Sequence, residues 1–283
     1  MKIGCILVTY NPDIELLTKV LSKIINQVDK VFISDNSTNG VNNNFDDYYN
    51  VKYHSNSGNI GIASAQNAGI NYFTLKSFDF ILFLDQDSIP SDNLVFKLYN
   101  TYLELTKKDF CVGGIGPRPY NRKEKTIYKP VIKKGYKINS NITEVGEIIS
   151  SASFIPLINF LTVGKMDDSL FIDGVDHEWC WRARKEAKLR FFIVENVLLS
   201  HQLGEGDRLF FFKKVSIPTP FRTYYQFRNY FYLVKRSYVP LYWKVSNGFK
   251  YAIKYFYFSI FISPQFEYFC RINKGIIDGV FKK

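Results

Sequence analysis

Thiols and imidazoles are scarce in this chain. Its four cysteines (Cys5, Cys111, Cys180, Cys270) stand far apart with no Cys-x-x-Cys pair. That argues against a zinc site or a disulfide framework. The three histidines (His54, His177, His201) are too few and too scattered for a His-rich metal centre. Long apolar runs are also missing. The longest in the last part, Tyr255 to Ile262, lies between Lys254 and Pro264 and is too short to span a bilayer. Lys2 is followed by a short strand-like run rather than a leader with a cleavage site, so a reducing compartment is expected. No Gly-x-Gly-x-x-Gly follows the first apolar run, which argues against a dinucleotide site. No internal repeat or low-complexity block occurs.

Carboxylates are nearly absent from the last quarter. Residues 208–283 hold 14 Lys and Arg against 2 Asp and Glu, a balance of +12. The first 207 residues hold 23 basic against 24 acidic, or −1, so the net +11 belongs wholly to the tail. The tail also carries 24 of the 49 Phe, Tyr and Trp residues. A basic, aromatic stretch suits an anionic membrane surface. The plain alternative is a packed helical tail with snorkelling lysines. Nucleic acid is not the expected partner, because the tail is rich in Phe and shows no nucleic-acid-binding motif.

The 283 residues, 46% of them hydrophobic, are enough for one large domain or two small ones. Short apolar runs at 3–8, 30–34, 51–54, 79–84, 111–116 and 190–199 read as strands. Helical periodicity follows over 14–27 (Leu16, Leu17, Val20, Leu21, Ile24, Ile25), after Gly61, over 92–107, and from about Val175. Residues 148–155 enclose Ser150, Ser151 and Ser153, and a helix starts after Thr219-Pro220. This alternation predicts an α/β fold: a mostly parallel, doubly wound sheet with helices on both faces, followed by a helical tail. The expected division is an α/β domain over 1–207 and a helical, membrane-associated segment over 208–283.

The run Phe80-Ile81-Leu82-Phe83-Leu84 has no polar member, as a strand buried on both faces should. It ends in Asp85-Gln86-Asp87-Ser88, at the carboxyl end of a strand where open α/β sheets bind their ligands. Carboxylates two residues apart in a turn can share a hard divalent cation whose shell is completed by substrate phosphates. Other polar clusters close the other strands: Thr9-Tyr10-Asn11, Asp35-Asn36-Ser37 and Asn56 to Asn59. Four such clusters would meet on one rim.

These segments together resemble the family 2 glycosyltransferases with the GT-A fold, and within them the rhamnosyltransferase-like branch. The resemblance runs over about residues 3–236. It rests on Val8-Thr9-Tyr10-Asn11, Asp35-Asn36-Ser37, Asn59-Ile60-Gly61-Ile62-Ala63 with Asn67 and Gly69, and Leu84-Asp85-Gln86-Asp87-Ser88. It continues in the segment from Leu170 to Cys180, in His201-Gln202-Leu203-Gly204, and in Arg222-Thr223-Tyr224-Tyr225-Gln226-Phe227-Arg228-Asn229. The resemblance implies an inverting, Mg²⁺- or Mn²⁺-dependent transferase. It would carry a sugar, L-rhamnose from dTDP-L-rhamnose, to a polyprenyl-diphosphate-linked glycan of a bacterial surface polysaccharide. The enzyme would be cytoplasmic and peripheral on the inner face of the membrane. The alternatives are a UDP-hexose donor, or a non-catalytic sugar-nucleotide or membrane-binding module.

Residue by residue, the resemblance implies that Thr9, Tyr10, Asn11, Asp35, Asn59, Ala63, Asn67, Asp85 and Gln86 line the donor. It places Asp87 at the metal, with His201 as a further metal or diphosphate contact, and Asp176 at the catalytic base. Arg222, Tyr225 and Arg228 are expected at the donor diphosphate, where cationic side chains would offset the charge of the leaving group. Glu178 and Trp179 are expected at the acceptor. An inverting displacement needs one base for the acceptor hydroxyl proton. Asp176 suits that role, since the neighbouring acids Asp173 and Glu178 would raise its proton affinity. Asp173 is the alternative base.

Overall fold

The computed structural model describes residues 1–41, 45, 48–121, 126–127, 135–201, 207–210 and 213–282, with the backbone alone described at 121, 126–127, 200–201, 207–210 and 213–216. The first half alternates strand and helix: β1 (Ile3–Thr9), α1 (Ile14–Ile24), β2 (Lys30–Asp35), β3 (Val51–Ser55), α2 (Ile62–Leu75), β4 (Phe80–Asp85) and α3 (Leu94–Lys107). Then come β5 (Val112–Asn121), β6 (Thr126–Ile127), β7 (Tyr136–Lys137), β8 (Ile142–Val145), β9 (Phe154–Pro156), α4 (Ile158–Val163), α5 (Val175–Glu186) and β10 (Arg190–His201). A two-stranded ribbon, β11 (Asp207–Phe210) and β12 (Lys213–Ser216), precedes α6 (Pro220–Val234), α7 (Leu241–Phe261) and α8 (Gln265–Phe281).

The main sheet has the order β3-β2-β1-β4-β9-β5-β10-β8-β7, with β6 on β5. The first four strands are parallel. The three-residue β9 then enters antiparallel to both β4 and β5. Two reversals restore the direction, so β5 and its parallel neighbour β10 run with β4. The carboxyl ends of β1, β2, β4, β5 and β10 therefore share one edge. Beyond β10 the sheet is antiparallel. The stretch 148–155 is a serine turn followed by the start of the short β9.

Alternation along the strands assigns the helices to faces. Cys5, Leu7, Val31, Ile33, Leu82 and Leu84 pack with α1 and α3. The residues between them, Ile6, Phe32, Ile81 and Phe83, pack with α2, α4 and α5 on the other side. A strand buried on both faces needs apolar residues at every position, which is why β4 reads as an unbroken run. Each such fully buried side chain contributes about 1.5–3 kcal/mol. A third cluster (Phe227, Phe258, Ile262, Tyr268, Ile272) joins α6, α7 and α8. The expected cut at 207/208 falls inside β11.

Candidate active site

The rim at the ends of β1, β2 and β4 is built by local bonding. Asp35 is buried, and its Oδ1 accepts from Thr9 Oγ1 (2.8 Å), Ser37 Oγ (2.7 Å) and Ser37 N (3.1 Å). Its Oδ2 accepts from the Tyr53 hydroxyl at 2.7 Å. Burial, reinforced by this carboxylate, raises the Tyr53 phenol above its ordinary value. Asn11, at a φ of 43°, is held by its N–H to Ser37 Oγ at 2.7 Å. The Gln86 amide closes a two-way bridge with the Tyr10 backbone, accepting at 2.7 Å and donating at 3.3 Å. Tyr10 is exposed. The structure thus makes Thr9, Asp35 and Gln86 braces of the rim rather than free contact groups. Tyr10 and Asn11 are the exposed members.

The acidic turn joins this rim through two serines. Asp85, Gln86 and Asp87 are half-buried at the end of β4. The next residue, Ser88, is buried and shares a hydrogen bond with Ser151 (2.9 Å). The backbone N–H of Ser150 donates to Asp176 Oδ2 at 3.1 Å, and Gln66 Nε2 donates to Ser150 Oγ at 3.2 Å. Asp176 and the residue after Asp87, 88 positions apart in the chain, are therefore linked through one turn. Ser150 and Ser151 had no expected role; their pairing is set by where β9 inserts, and nothing local announces it.

The second wall is the loop from 169 to 174, which leads into α5. Phe171, Asp173 and Gly174 have φ values of 63°, 65° and 86°. A positive φ on an aromatic residue is strained and persists only where the surroundings over-determine it. Here they do. Asn229 Nδ2 donates to the carbonyls of Leu170, Ile172 and Asp173 at 2.7–2.9 Å. The Arg228 guanidinium donates to the Ser169 and Leu170 carbonyls. Arg222 forks onto both Asp173 oxygens (2.7–3.1 Å), which raises the guanidinium further above its ordinary value. The Tyr225 ring stacks on Phe171 (centroids 4.5 Å apart, 11° between planes), with Arg228 over it at 4.7 Å. From the other side, α2 starts against the same loop. The Ile62 N–H donates to the Phe171 carbonyl at 2.7 Å. Gly61 sits so close that a Cβ would lie 2.6 Å from the Phe171 ring, so only glycine fits there.

Several expected site residues also make bonds that hold the walls together. From α6, Arg222 and Arg228 bond the loop and Tyr225 stacks on it. Ala63 is buried, and Asn67 is bonded to Met166 N, Met166 O and Asp168, which fastens α2 to the segment before the loop. Asn59 caps the turn at Gly61 N. Glu178 and Trp179, expected at the acceptor, are turned into the interior. Glu178 is fully buried, bonded to Arg182, paired with Arg236 and accepting from Tyr238 OH at 2.6 Å. Trp179 is buried and donates to the Gly164 carbonyl. Burying a carboxylate requires such partners. The acids expected to crowd Asp176 are thus each neutralised by arginine. Asp176 itself accepts one N–H on each oxygen, from Ser150 and from His177 (2.8 Å). Sequence reading did not single out Arg182, Arg236 and Tyr238. Asn229 was within a quoted motif, but no feature of the motif says that it grips a loop.

A cleft of about 190 Å³ opens beside the loop, between α5, α6 and α7. It is lined by Asp173, His177, Gln226, Trp243, Asn247 and Tyr251, among others. His201 ends β10 on the same sheet edge as Asp85; its side chain lies outside the described residues.

Residues 5–156, more than half of the chain, match Glycosyl transferase family 2. The chain is a family 2 glycosyltransferase. It is also 32% identical over 249 residues to the dTDP-rhamnosyl transferase RfbF of Shigella flexneri, covering 84% of this chain and 82% of that one, which places the glycosyltransferase in the rhamnosyltransferase-like branch. Among solved structures, GalNAc-T7 with UDP, GalNAc and Mn²⁺ superposes with a TM-score of 0.61 at 15% identity, over 92% of this chain. The glycosyltransferase spans half the length of that protein. S. aureus TarS 1-349 in complex with UDP-GlcNAc gives a TM-score of 0.59 at 12% identity, over 99% of this chain and 82% of that one. At such identities these structures bear out the GT-A fold alone.

Proposed function

We propose that this glycosyltransferase moves L-rhamnose from dTDP-L-rhamnose to a lipid-linked glycan, with inversion and with a divalent cation. The observation that carries the reading is the single hydrogen-bonded turn, Ser150-Ser151, that joins the Asp85–Asp87 edge to Asp176. It sets a candidate diphosphate-neutralising group and a candidate base on one edge. The rhamnosyl donor is supported by the Shigella relative.

The donor set fits Mg²⁺ or Mn²⁺. Asp85 and Asp87 offer hard carboxylate oxygens from one turn, and no cluster of three or more His, Cys, Asp or Glu residues forms a closed metal cage among the described residues. A cation held by one or two carboxylates, with phosphate oxygens and water completing its shell, is the usual Mg²⁺ arrangement. When bound, it would supply Lewis-acid neutralisation of the leaving diphosphate.

The chain's own groups do the rest. Tyr10 and Asn11 present the exposed part of the rim to the nucleotide. Asp176 takes the proton of the acceptor hydroxyl as that oxygen bonds to the anomeric carbon and the bond to the diphosphate breaks. Asp173 is the poorer base, because Arg222 occupies both its oxygens. Residues 1–207 would hold the donor, and 208–283 would serve the acceptor and the inner membrane face.

The test is a donor panel. Release of nucleoside diphosphate is measured from dTDP-, UDP- and GDP-sugars with Mg²⁺, Mn²⁺ or chelator. Turnover confined to dTDP-rhamnose and lost in chelator is expected. Preference for a UDP-hexose overturns the donor, and full activity in chelator overturns the metal.

A further inference from the structure

The long helix α7 has two unlike faces. Its inner face carries Trp243, Asn247 and Tyr251 into the cleft beside Asp173. Its outer face carries Leu241, Val245, Phe249, Ile253, Phe256 and Ile260, spaced by three or four residues over the helix length. These side chains keep 44–75% of their surface in solvent. Six large apolar groups in one unpartnered stripe, over a helix about 30 Å long, far exceed what isolated surface hydrophobics explain. No helix is long and apolar enough to cross a membrane among the described residues.

Charge selects the occupant. Between Arg236 and Glu267 there is no carboxylate, and the only charged residues are Lys244, Lys250 and Lys254. Lys244 and Lys254 turn inward, to the Arg236 carbonyl and to Gln226, while Lys250 stands exposed at the stripe's edge. Pairing two such helices across a twofold axis at mid-helix would set one Lys250 beside the other with no acid on α7 to offset them. An anionic lipid surface meets both the apolar stripe and the positive charge.

We propose that α7 lies flat on an anionic bilayer through its outer face, which sets the cleft within one helix diameter, about 10 Å, of the lipid headgroups. This rests on the reading of the enzyme as acting on a lipid-linked acceptor, and it makes α7 the wall between the lipid and the sugar site. An acceptor glycan could then enter the cleft while its lipid stays in the membrane.

The experiment is sedimentation of the full chain with phosphatidylcholine vesicles, with and without 30% phosphatidylglycerol. The parent should bind the anionic vesicles and lose binding as salt rises. The exposed double substitution F249E/F256E should lower partition at least tenfold with an unchanged melting curve, and K250E several-fold. Unchanged binding by F249E/F256E, or no binding by the parent, overturns the proposal. So does a parent dimer that this variant splits to monomers in light scattering without vesicles, since the face then belongs to a second copy. Vesicle binding needs no sugar transfer. If binding behaves as expected but no nucleotide sugar turns over, the proposed reaction fails and the docking face stands.

Discussion

The rim at the ends of β1, β2 and β4 and the loop from 169 to 174 are the two walls of the site, and they are held in opposite ways. The rim is braced by residues close in sequence or adjacent in parallel register: Thr9, Asp35, Ser37 and Tyr53 bond one another. The loop carries three positive φ angles and is held from α6, with Asn229 reaching back 56–59 residues. The rim should therefore absorb single changes, while the loop depends on a distant clamp.

Predictions at the two walls can break or sharpen that contrast. The largest effect is expected at Asp176, where the loop meets the rim. Asp176→Asn should cut sugar transfer by about 10²–10⁴-fold, as loss of a general base does, with donor affinity retained. Retained transfer in a coupled diphosphate-release assay would move the base elsewhere. Next comes the buried acid behind the loop. Glu178→Ala removes the carboxylate shared by Arg182, Arg236 and Tyr238 and should cost about 3–5 kcal/mol in urea unfolding. A loss below 1 kcal/mol would show that those arginines find water.

Asn229→Ala should cost about 1–3 kcal/mol, by leaving loop carbonyls unpaired, and should lower transfer more than donor binding. The matching rim change, Ser37→Ala, should cost about 1 kcal/mol and act on donor affinity. If the two variants show the same pattern, the walls are not held differently. The smallest effect is in acid. Burial opposes ionisation of Asp167, but hydrogen bonds from Ser169 and the charge of Arg236 win and hold its carboxyl below the usual value. A depressed carboxyl stabilises the fold above its ordinary pKa, about 3.9, and that stability is lost as pH falls through the folded value. Asp167→Asn should flatten the acid side of the stability curve, and an unchanged slope would count against the pair.

The parts legible from sequence are those whose signal is local. The run 80–84 announced a doubly buried strand because both faces of β4 are covered. Thr219-Pro220 announced the start of α6, where Thr219 caps Arg222 N. The strand-end clusters did meet on one edge. What escaped notice was too short or too remote to leave a pattern. Three residues of β9 show no period, yet they reverse the sheet and carry the Ser150-Ser151 turn to Asp176. Arg222, Tyr225 and Arg228 were expected at the donor because basic and aromatic groups suit a diphosphate. The same groups suit a carboxylate, backbone carbonyls and a Phe ring, and in the fold they contact all three.

The sequence by itself determined the alternation of strand and helix, the family, the acidic turn at 85–87 and the placing of all excess positive charge in the tail. Each of these is written in neighbouring residues or in plain counts. Only the tertiary structure decided which acids stay available. Asp173 and Glu178 stand beside Asp176 in the chain, yet arginines from α5, α6 and the turn after it take them up and leave Asp176 facing the serine turn. A carboxylate's role depends on what it meets within a few ångströms, because charge in a low-dielectric interior must be paired where it sits.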